Sequence, residues 1–186
     1  MARAHTLGID DGPFDKFASA RVPIVGVMME GPDLVEAVAR TEFGVDGDGV
    51  TEFLADWVRS LRFHPALQAV FLGGITIAGL GVIDIRALSD RLGVPVLAVN
   101  RRDPSENRVG EALAAAGLEE RAPLLEATPP PVRVDDHLFV ACAGASADDA
   151  VRLVRASRAK SEFPEPLRLA HMIARAYAAG ESRGRP

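Results

Sequence analysis

Acidic side chains cluster at two points where apolar segments of the sequence end. Asp10 and Asp11 close the segment LGIDD, and Asp46, Asp48 and Glu52 lie together in GVDGDGVTE. Carboxylates brought close together repel one another and raise each other's pKa, so a divalent cation stabilises such a cluster. Oxygen ligands of this kind suit Mg²⁺ or Mn²⁺. If the two clusters meet in the fold, the sequence predicts a site for one of these ions.

The same residues also have a purely structural interpretation. Asp-Gly pairs are common in turns, and Asp48 or Thr51 would serve equally well as the cap of a following helix. The spacing alone leaves both interpretations open.

The hydrophobic pattern predicts three antiparallel strands, followed by alternating helices and strands. Turn-forming segments separate the three strands, and the apolar period changes from two to 3.6 after Val50. The third strand segment also suits a helix, but its glycine and proline boundaries favour a strand. The predicted elements of this half are strands at 5–9, 22–30 and 34–45, a helix at 51–63, a strand at 66–74, a helix at 83–93 and a strand at 94–100.

The second half predicts mainly helices around one further apolar run. Its predicted elements are a helix at 105–117, a short extended segment at 123–127, a proline-rich break at 128–132, an apolar run at 137–144, a helix at 145–157 and a final helix from Glu165 to Ala179. The whole pattern predicts a mixed α/β fold, in which the strands at 66–74 and 94–100 are parallel. Ligands in open sheets of this kind bind at the carboxyl ends of the strands, where Asp10 and Asp11 lie.

Length and composition predict one domain spanning residues 1–186, with 180–186 as a mobile or functional tail. The chain is 48% hydrophobic and carries a formal charge of -5, which excludes the strongly basic proteins that bind nucleic acid through bulk electrostatics. Any contact with nucleic acid must therefore be local. The single cysteine, the lack of a signal-peptide pattern and the lack of a membrane-spanning segment predict a soluble, cytoplasmic protein that makes no membrane contact. The oligomeric state is not predicted.

Four motifs spread over the chain resemble the archaeal-type family known as domain of unknown function 99. They are IDDGPF at 9–14, VDGDGVTE at 45–52, GITIAGLGVID at 74–84 and GESRGRP at 180–186. A fifth motif, SEFPEPLRLAH at 161–171, is similar to a segment of endonuclease V, a metal-dependent nuclease that cuts DNA or RNA near a deaminated base. The resemblance implies a ribonuclease H-like, endonuclease V-like fold, with three antiparallel strands and then parallel strands in a mixed sheet flanked by helices.

The resemblance also implies roles for individual residues. Asp10 matches the first metal-binding aspartate of endonuclease V, and His171 matches an Asp or His of its C-terminal helix. Asp48 or Glu52 would supply a further acidic residue, with Asp46 as a third choice. The implied catalytic set is Asp10, Asp11, Asp48, Glu52 and His171, of which Asp10, Asp11 and Asp48 would bind Mg²⁺ or Mn²⁺. The implied nucleic-acid contacts are Gly73, Gly74, Thr76, Gly79, Arg101, Arg102 and Arg168, with Arg183 and Arg185 of the tail as further phosphate contacts.

The sequence departs from endonuclease V at one central position. Endonuclease V has an aspartate at the end of its fourth strand, where this chain has Gly73. Either Asp11 replaces the missing ligand or the nuclease chemistry is lost. The tyrosine wedge of endonuclease V also has no direct match, since Phe43 is the one aromatic residue of the corresponding segment FGVDGDG.

Two functions follow from these observations. The first is a metal-dependent endonuclease of DNA repair that acts at deaminated bases such as deoxyuridine or deoxyinosine, with DNA as substrate and RNA as an alternative. The second is a catalytically degenerate nuclease fold that binds nucleic acid or a partner without cleaving it. A nucleotide-binding loop at Gly79 and Gly81 is a weaker hypothesis, because the third glycine of GxGxxG is missing.

Overall fold

A mixed sheet of seven strands forms the centre of the computed structural model, which describes residues 3–16, 18–101 and 108–182. In spatial order the strands are β3, β2, β1, β4, β7, β9 and β8, and β5 and β6 form a separate hairpin. Their bounds are β1 His5–Asp11, β2 Arg21–Glu30, β3 Leu34–Gly44, β4 Ala69–Leu72, β5 Thr76–Ile77, β6 Gly81–Val82, β7 Val96–Asn100, β8 Val132–Asp135 and β9 Leu138–Ala143.

Strand directions agree with the predicted mixed topology. β1, β2 and β3 pair antiparallel in succession, and β4 pairs parallel with both β1 and β7. β9 and β8 then extend the sheet with antiparallel pairing. The carboxyl ends of β1, β4 and β7 therefore lie at the same edge of the sheet, next to one another.

Helices cover both faces of this sheet. Alternate residues of β4 belong to different hydrophobic clusters, because successive strand side chains point to opposite faces. Helices α1 and α2 pack in the cluster on one face, and α5 and α6 pack in the clusters on the other. The helices are α1 Val50–Ser60, α2 Ile85–Leu92, α3 Arg108–Ala116, α4 Ala122–Glu126, α5 Ala147–Ala156 and α6 Glu165–Ala179, with short 3₁₀ turns at His64–Ala66 and Glu119–Arg121.

Most predicted elements are present, and the exceptions are short. The ambiguous third segment is a strand, and α6 has the predicted bounds. The prediction of an extended segment at 123–127 is wrong, because α4 spans most of these residues. Pro123 lies in the first turn of α4, a position where the proline ring favours the start of a helix. Strand β8 and the hairpin of β5 and β6 were not predicted, and residues 105–107 of the predicted third helix lie outside the described residues.

Helix α6 lies directly against β1 because Gly8 has no side chain. A Cβ atom at Gly8 would approach the carbonyl carbon of Pro166 to 2.2 Å, so only glycine allows this contact. Ala170 and Ala174 are fully buried against β2 further along α6. This close packing fixes the position of α6 relative to the end of β1. None of the helices in the described ranges combines the length and apolar character that crossing a membrane requires.

Candidate active site

The carboxyl ends of β1, β4 and β7 open into a cavity of about 630 Å³. Three structural groups line it: the end of β1 with the loop after it, the ends of β4 and β7, and one face of α6 with the segment before it. The lining residues are Asp10, Asp11, Gly12, Pro13, Phe14, Gly73, Val99, Asn100, Arg101, Phe163, Leu167, His171 and Arg175. The predicted site residues that meet here are thus Asp10, Asp11, Gly73, Arg101 and His171.

Asp10 and His171 are joined by a hydrogen bond, although 161 positions separate them in the chain. The distance from His171 Nδ1 to Asp10 Oδ2 is 2.8 Å, and Asp10 Oδ1 accepts the backbone N–H of Asp11 at 2.9 Å. A carboxylate only accepts, so Nδ1 carries the hydrogen and Nε2 of a neutral His171 is left as a proton acceptor. This pair therefore combines a fixed carboxylate with a candidate general base.

Asp11 lies beside Asp10 and is largely buried. Burial and the neighbouring Asp10 carboxylate raise the pKa of Asp11 to about 6, although the N–H of Ala78 donates a hydrogen bond to Asp11 Oδ2 at 2.5 Å and opposes the increase. Strongly perturbed carboxyl groups in a cleft are common at functional sites.

Gly73 lies next to the Asp10 carboxylate, because the parallel pairing of β1 with β4 aligns Ile9 with Leu72, the residues just before them. A Cβ atom at Gly73 would stand 3.2 Å from Asp10 Oδ1. A side chain at this position would therefore reach the same cavity, which places the departure from endonuclease V inside the site. In this chain the space beside Asp10 stays open.

Eight cavity residues were not predicted as site residues, and three of them matter for the binding of a ligand. Asn100 ends β7, Phe163 precedes α6, and Arg175 follows His171 by one helical turn. The guanidinium of Arg101 stacks on the Phe163 ring with its centre 4.6 Å from the ring centroid. Asn100 could have been predicted as a site residue because ligands bind at the carboxyl ends of strands. Arg175 could have been predicted because it lies four residues after His171 and so on the same face of the helix.

Asp48 and Glu52 do not line this cavity. The exposed Asp48 carboxylate pairs with the buried guanidinium of Arg121, and Glu52 pairs with Arg91 at 3.1 Å. Their predicted roles in catalysis, and that of Asp48 in metal binding, remain predictions. The structure brings each of them to an arginine rather than to Asp10.

The remaining predicted contacts lie around the cavity or beyond it. Gly74 faces Asn100, and a Cβ atom there would stand 3.2 Å from Asn100 Oδ1. Thr76 belongs to β5, and Arg168 pairs within α6 with Glu165, which raises the pKa of Arg168. Arg102, Arg183 and Arg185 lie outside the described residues. Phe43 is buried and stacks on Phe53 with ring centroids 4.9 Å apart, so it is not exposed as a wedge.

Buried polar contacts hold the hairpin of β5 and β6 on both sides. Asp11 accepts the N–H of Ala78 as described, and Asp46 Oδ1 accepts the N–H of Leu80 at 2.7 Å. The guanidinium of Arg121 donates to the carbonyls of Leu80 and Asp46 at 2.7 and 2.8 Å. Gly79, at the hairpin tip, lines a second cavity of about 390 Å³ together with Asp46. Asp46 is thus an anchor of the hairpin.

The donor set of the first cavity suits a hydrated divalent cation. Within the described ranges, no three His, Cys, Asp or Glu side chains converge closely enough to hold a metal ion. Mg²⁺, however, needs only one or two carboxylates, because it keeps several waters and also binds substrate phosphates. Burial and, after it, repulsion by Asp10 raise the pKa of Asp11, and a cation near the two carboxylates would oppose both effects. Asp10 is bonded to His171 of α6 and Asp11 to Ala78 of the hairpin, on opposite faces of β1, but both line the cavity, so these two carboxylates are the residues that would hold Mg²⁺ or Mn²⁺ there.

Comparison with known proteins identifies the family of this chain. The family model described as endonuclease dU matches residues 2–178. This chain belongs to the endonuclease dU family. UPF0215 proteins are its relatives: one from Methanothermobacter thermautotrophicus is 38% identical over 96% of this chain and 89% of its own length. Another, from Thermococcus kodakarensis, is 38% identical over 96% of this chain and 94% of its own length.

Solved structures confirm the endonuclease V-like fold for this member of the endonuclease dU family. A protein of unknown function from Archaeoglobus fulgidus matches with a TM-score of 0.85 at 30% identity, over 95% of this chain and 98% of that one. Endonuclease V from Streptomyces avermitilis matches with a TM-score of 0.61 at 17% identity, over 96% and 83% of the two chains. Endonuclease V from Ciona intestinalis, solved with a 24mer DNA containing inosine, matches at 0.58 and 14%, over 90% and 82%.

Proposed function

We propose that this protein is a metal-dependent endonuclease that hydrolyses DNA at deaminated bases, with deoxyuridine as the first substrate to test. The observation that carries the proposal is the cavity in which Asp10, Asp11 and His171 meet at the carboxyl ends of β1, β4 and β7. Membership of a family described as endonuclease dU supports the choice of deoxyuridine. Arg101 also lines the cavity, and a guanidinium group binds phosphate through two parallel hydrogen bonds.

The protein side chains have distinct roles in this proposal. Asp10 and Asp11 would hold Mg²⁺ or Mn²⁺, and a cation bound there would supply charge neutralisation at the phosphate and a more acidic water. His171 is oriented by its hydrogen bond to Asp10, so its Nε2 can accept the proton of the attacking water. Arg101, held over Phe163, would contact a phosphate oxygen through its planar guanidinium.

Cleavage of labelled DNA tests this proposal. Duplexes carrying one deoxyuridine, one deoxyinosine or neither are incubated with the protein and with Mg²⁺, Mn²⁺ or EDTA. We expect cleavage of a modified duplex when metal is present. We expect the cleavage rate of Asp10→Ala to be lower by a factor on the order of a hundred or more, because removing one group that stabilises a transition state has an effect of this size. Equal cleavage by wild type and Asp10→Ala would contradict the proposal.

Asp48→Ala provides the matched comparison, because it removes a carboxylate that the structure places outside the cavity. We expect this variant to keep most of the cleavage activity. If Asp48→Ala abolishes cleavage as Asp10→Ala does, the metal set includes Asp48 as the sequence predicted, and a site of two carboxylates is wrong.

The alternative function is binding of nucleic acid without cleavage. Gly73 and the lack of a third converging ligand in the described ranges favour it. Absence of cleavage with every metal, together with binding of the same duplexes, would replace the nuclease proposal by this one.

A further inference from the structure

We propose that Arg175, on the face of α6 that lines the cavity, binds a backbone phosphate of the nucleic acid. Arg101, which follows β7 and lies near the start of α6, binds a second phosphate at the other end of the cavity. This inference rests on the proposed function for the identity of the ligand. Arg175 thereby has a role in substrate binding, and the two arginines define the path of the nucleic-acid strand across the site.

The first observation is that Arg175 has no anionic partner in the part of the chain that the structure describes. Arg175 lines the cavity, and its Nε is buried without a hydrogen-bond partner among the described residues. Arg168 of the same helix pairs with Glu165. Arg158, just after α5, also has a buried Nε without a partner, but it donates to Asp135 through another guanidinium nitrogen. A partly buried cation is costly without an anion, so a ligand that supplies one is favoured here.

The second observation is the position of Arg175 relative to the carboxylates. Leu167, His171 and Arg175 follow one another at intervals of four residues, so they lie along one face of α6. The hydrogen bond from His171 to Asp10 fixes the level of the carboxylates along this face. Arg175 therefore stands one turn, about 6 Å of helix rise, beyond Asp10 toward the C-terminal end of α6.

Arg101 marks the opposite end of the same line. It stacks on Phe163, just before α6 begins, and both residues line the cavity. Phe163 precedes the first turn of α6 and Arg175 follows His171 by one turn, so Arg101 and Arg175 lie toward opposite ends of this helix, with His171 and its partner Asp10 between them. A strand running along α6 would meet Arg101, the carboxylates and Arg175 in succession.

The chemistry of the guanidinium group suits a phosphodiester in this position. Its planar fork donates two parallel hydrogen bonds to phosphate oxygens, and it stays charged at every working pH. The chain as a whole carries a formal charge of -5, so attraction to nucleic acid must come from such local cations. Phosphate contacts of this kind fix the register of a strand without reading its sequence.

The salt dependence of DNA binding tests this proposal. Binding of a labelled duplex with one deoxyuridine is measured between low and moderate KCl, with every variant in an Asp10→Asn background to suppress cleavage. The slope of log K against log salt is negative, and losing one phosphate contact decreases its magnitude by about 0.9. We expect Arg175→Ala to show this decrease and to weaken binding, and we expect Arg175→Lys to keep the slope because the charge remains.

The control is Arg59→Ala, which removes an equal charge from an exposed position on α1 that lines neither cavity. It should leave the slope unchanged. Arg175→Gln replaces Arg175→Ala if thermal unfolding shows that the alanine variant is not folded. An unchanged slope in the neutral Arg175 variant, or an equal decrease in Arg59→Ala, overturns the proposal.

The result of the salt-dependence measurement does not depend on the result of the cleavage assay. A decreased slope for Arg175→Ala together with no cleavage by the wild type supports the phosphate contact and rejects the nuclease. Cleavage by the wild type with an unchanged slope supports the nuclease and rejects the contact.

Discussion

At the scale of single residues, the carboxyl group of Asp11 is buried beside a second carboxylate, and this placement costs stability. Its pKa is raised from 3.8 to about 6 by burial and by Asp10. Asp11 therefore binds a proton more readily in the folded state than in the unfolded state. Above pH 6 it is ionised in both states and destabilises the fold; this destabilisation disappears as the pH falls through 6 toward 3.8.

Asp11→Asn should therefore stabilise the protein at neutral pH. A difference of about 2 in pKa corresponds to about 3 kcal/mol, so we expect a gain of this order at pH 7.5 and almost none near pH 4. The asparagine oxygen can still accept the N–H of Ala78. Urea unfolding over this pH range, without divalent cations, measures the effect, and Asp90→Asn on the exposed side of α2 is the control. A gain that does not depend on pH would show that burial of the charge is not its cause.

The presence of Asp10 and His171 in one site could be predicted from the sequence, whereas their hydrogen bond and the position of Asp48 could not. The first follows from motifs that resemble endonuclease V at both ends of the chain. The position of Asp48 depends on Arg121, which no motif marks and which draws Asp48 away by an ion pair. Turn geometry that depends on one distant side chain is not encoded in local spacing.

At the scale of elements, the position of α6 decides whether the site exists. Gly8 on β1 is in contact with the backbone of Pro166 at the start of α6, and His171 lies further along that helix. Any group added at Gly8 must push α6 away from β1, because backbone atoms cannot move aside as a flexible side chain can.

Gly8→Ala should therefore destabilise the fold and separate His171 from Asp10. We expect a loss of about 3 kcal/mol or more, the range for severe steric changes in a core, together with loss of cleavage. Thermal unfolding and the cleavage assay measure the two effects. Gly44→Ala on β3 is the matched control, since a Cβ there meets nothing within 4 Å. If Gly8→Ala unfolds at the wild-type temperature, α6 is not fixed by this contact.

The elements that sequence reasoning missed are those too short to show a period. β5 and β6 have two residues each, and β8 has four at the edge of the sheet. Alternation needs about four to eight residues to be recognised, so these strands carry no reliable pattern. Long elements with a continuous apolar face, such as β2 and α6, were predicted because their packing repeats along the sequence.

At the scale of the whole molecule, the sheet ends in an exposed edge with apolar side chains. β3 spans eleven residues, and Leu34, Val35 and Val38 are 51%, 45% and 52% exposed. An uncovered edge strand of this length offers unpaired backbone groups to a second copy. The net negative charge of the chain opposes this association only at long range.

Val38→Lys should reduce aggregation during heating without affecting the candidate site. A lysine on an edge strand prevents edge-to-edge pairing, and the change in stability should stay within about 1 kcal/mol. Light scattering during a temperature ramp, at several protein concentrations, measures the effect. Val38→Thr, which keeps the branched shape without the charge, separates the two contributions. Unchanged scattering in both variants would place the association elsewhere on the surface.

The hydrogen bond between residues 10 and 171 also has a consequence for synthesis of the protein. β1 precedes α6 in the chain, so a growing chain carries the two carboxylates long before it carries the histidine and the arginine of α6. A chain that ends before residue 165 contains Asp10 without its partner His171. The candidate site can therefore form only after α6 has been translated, and chains that end before this helix lack both His171 and Arg175.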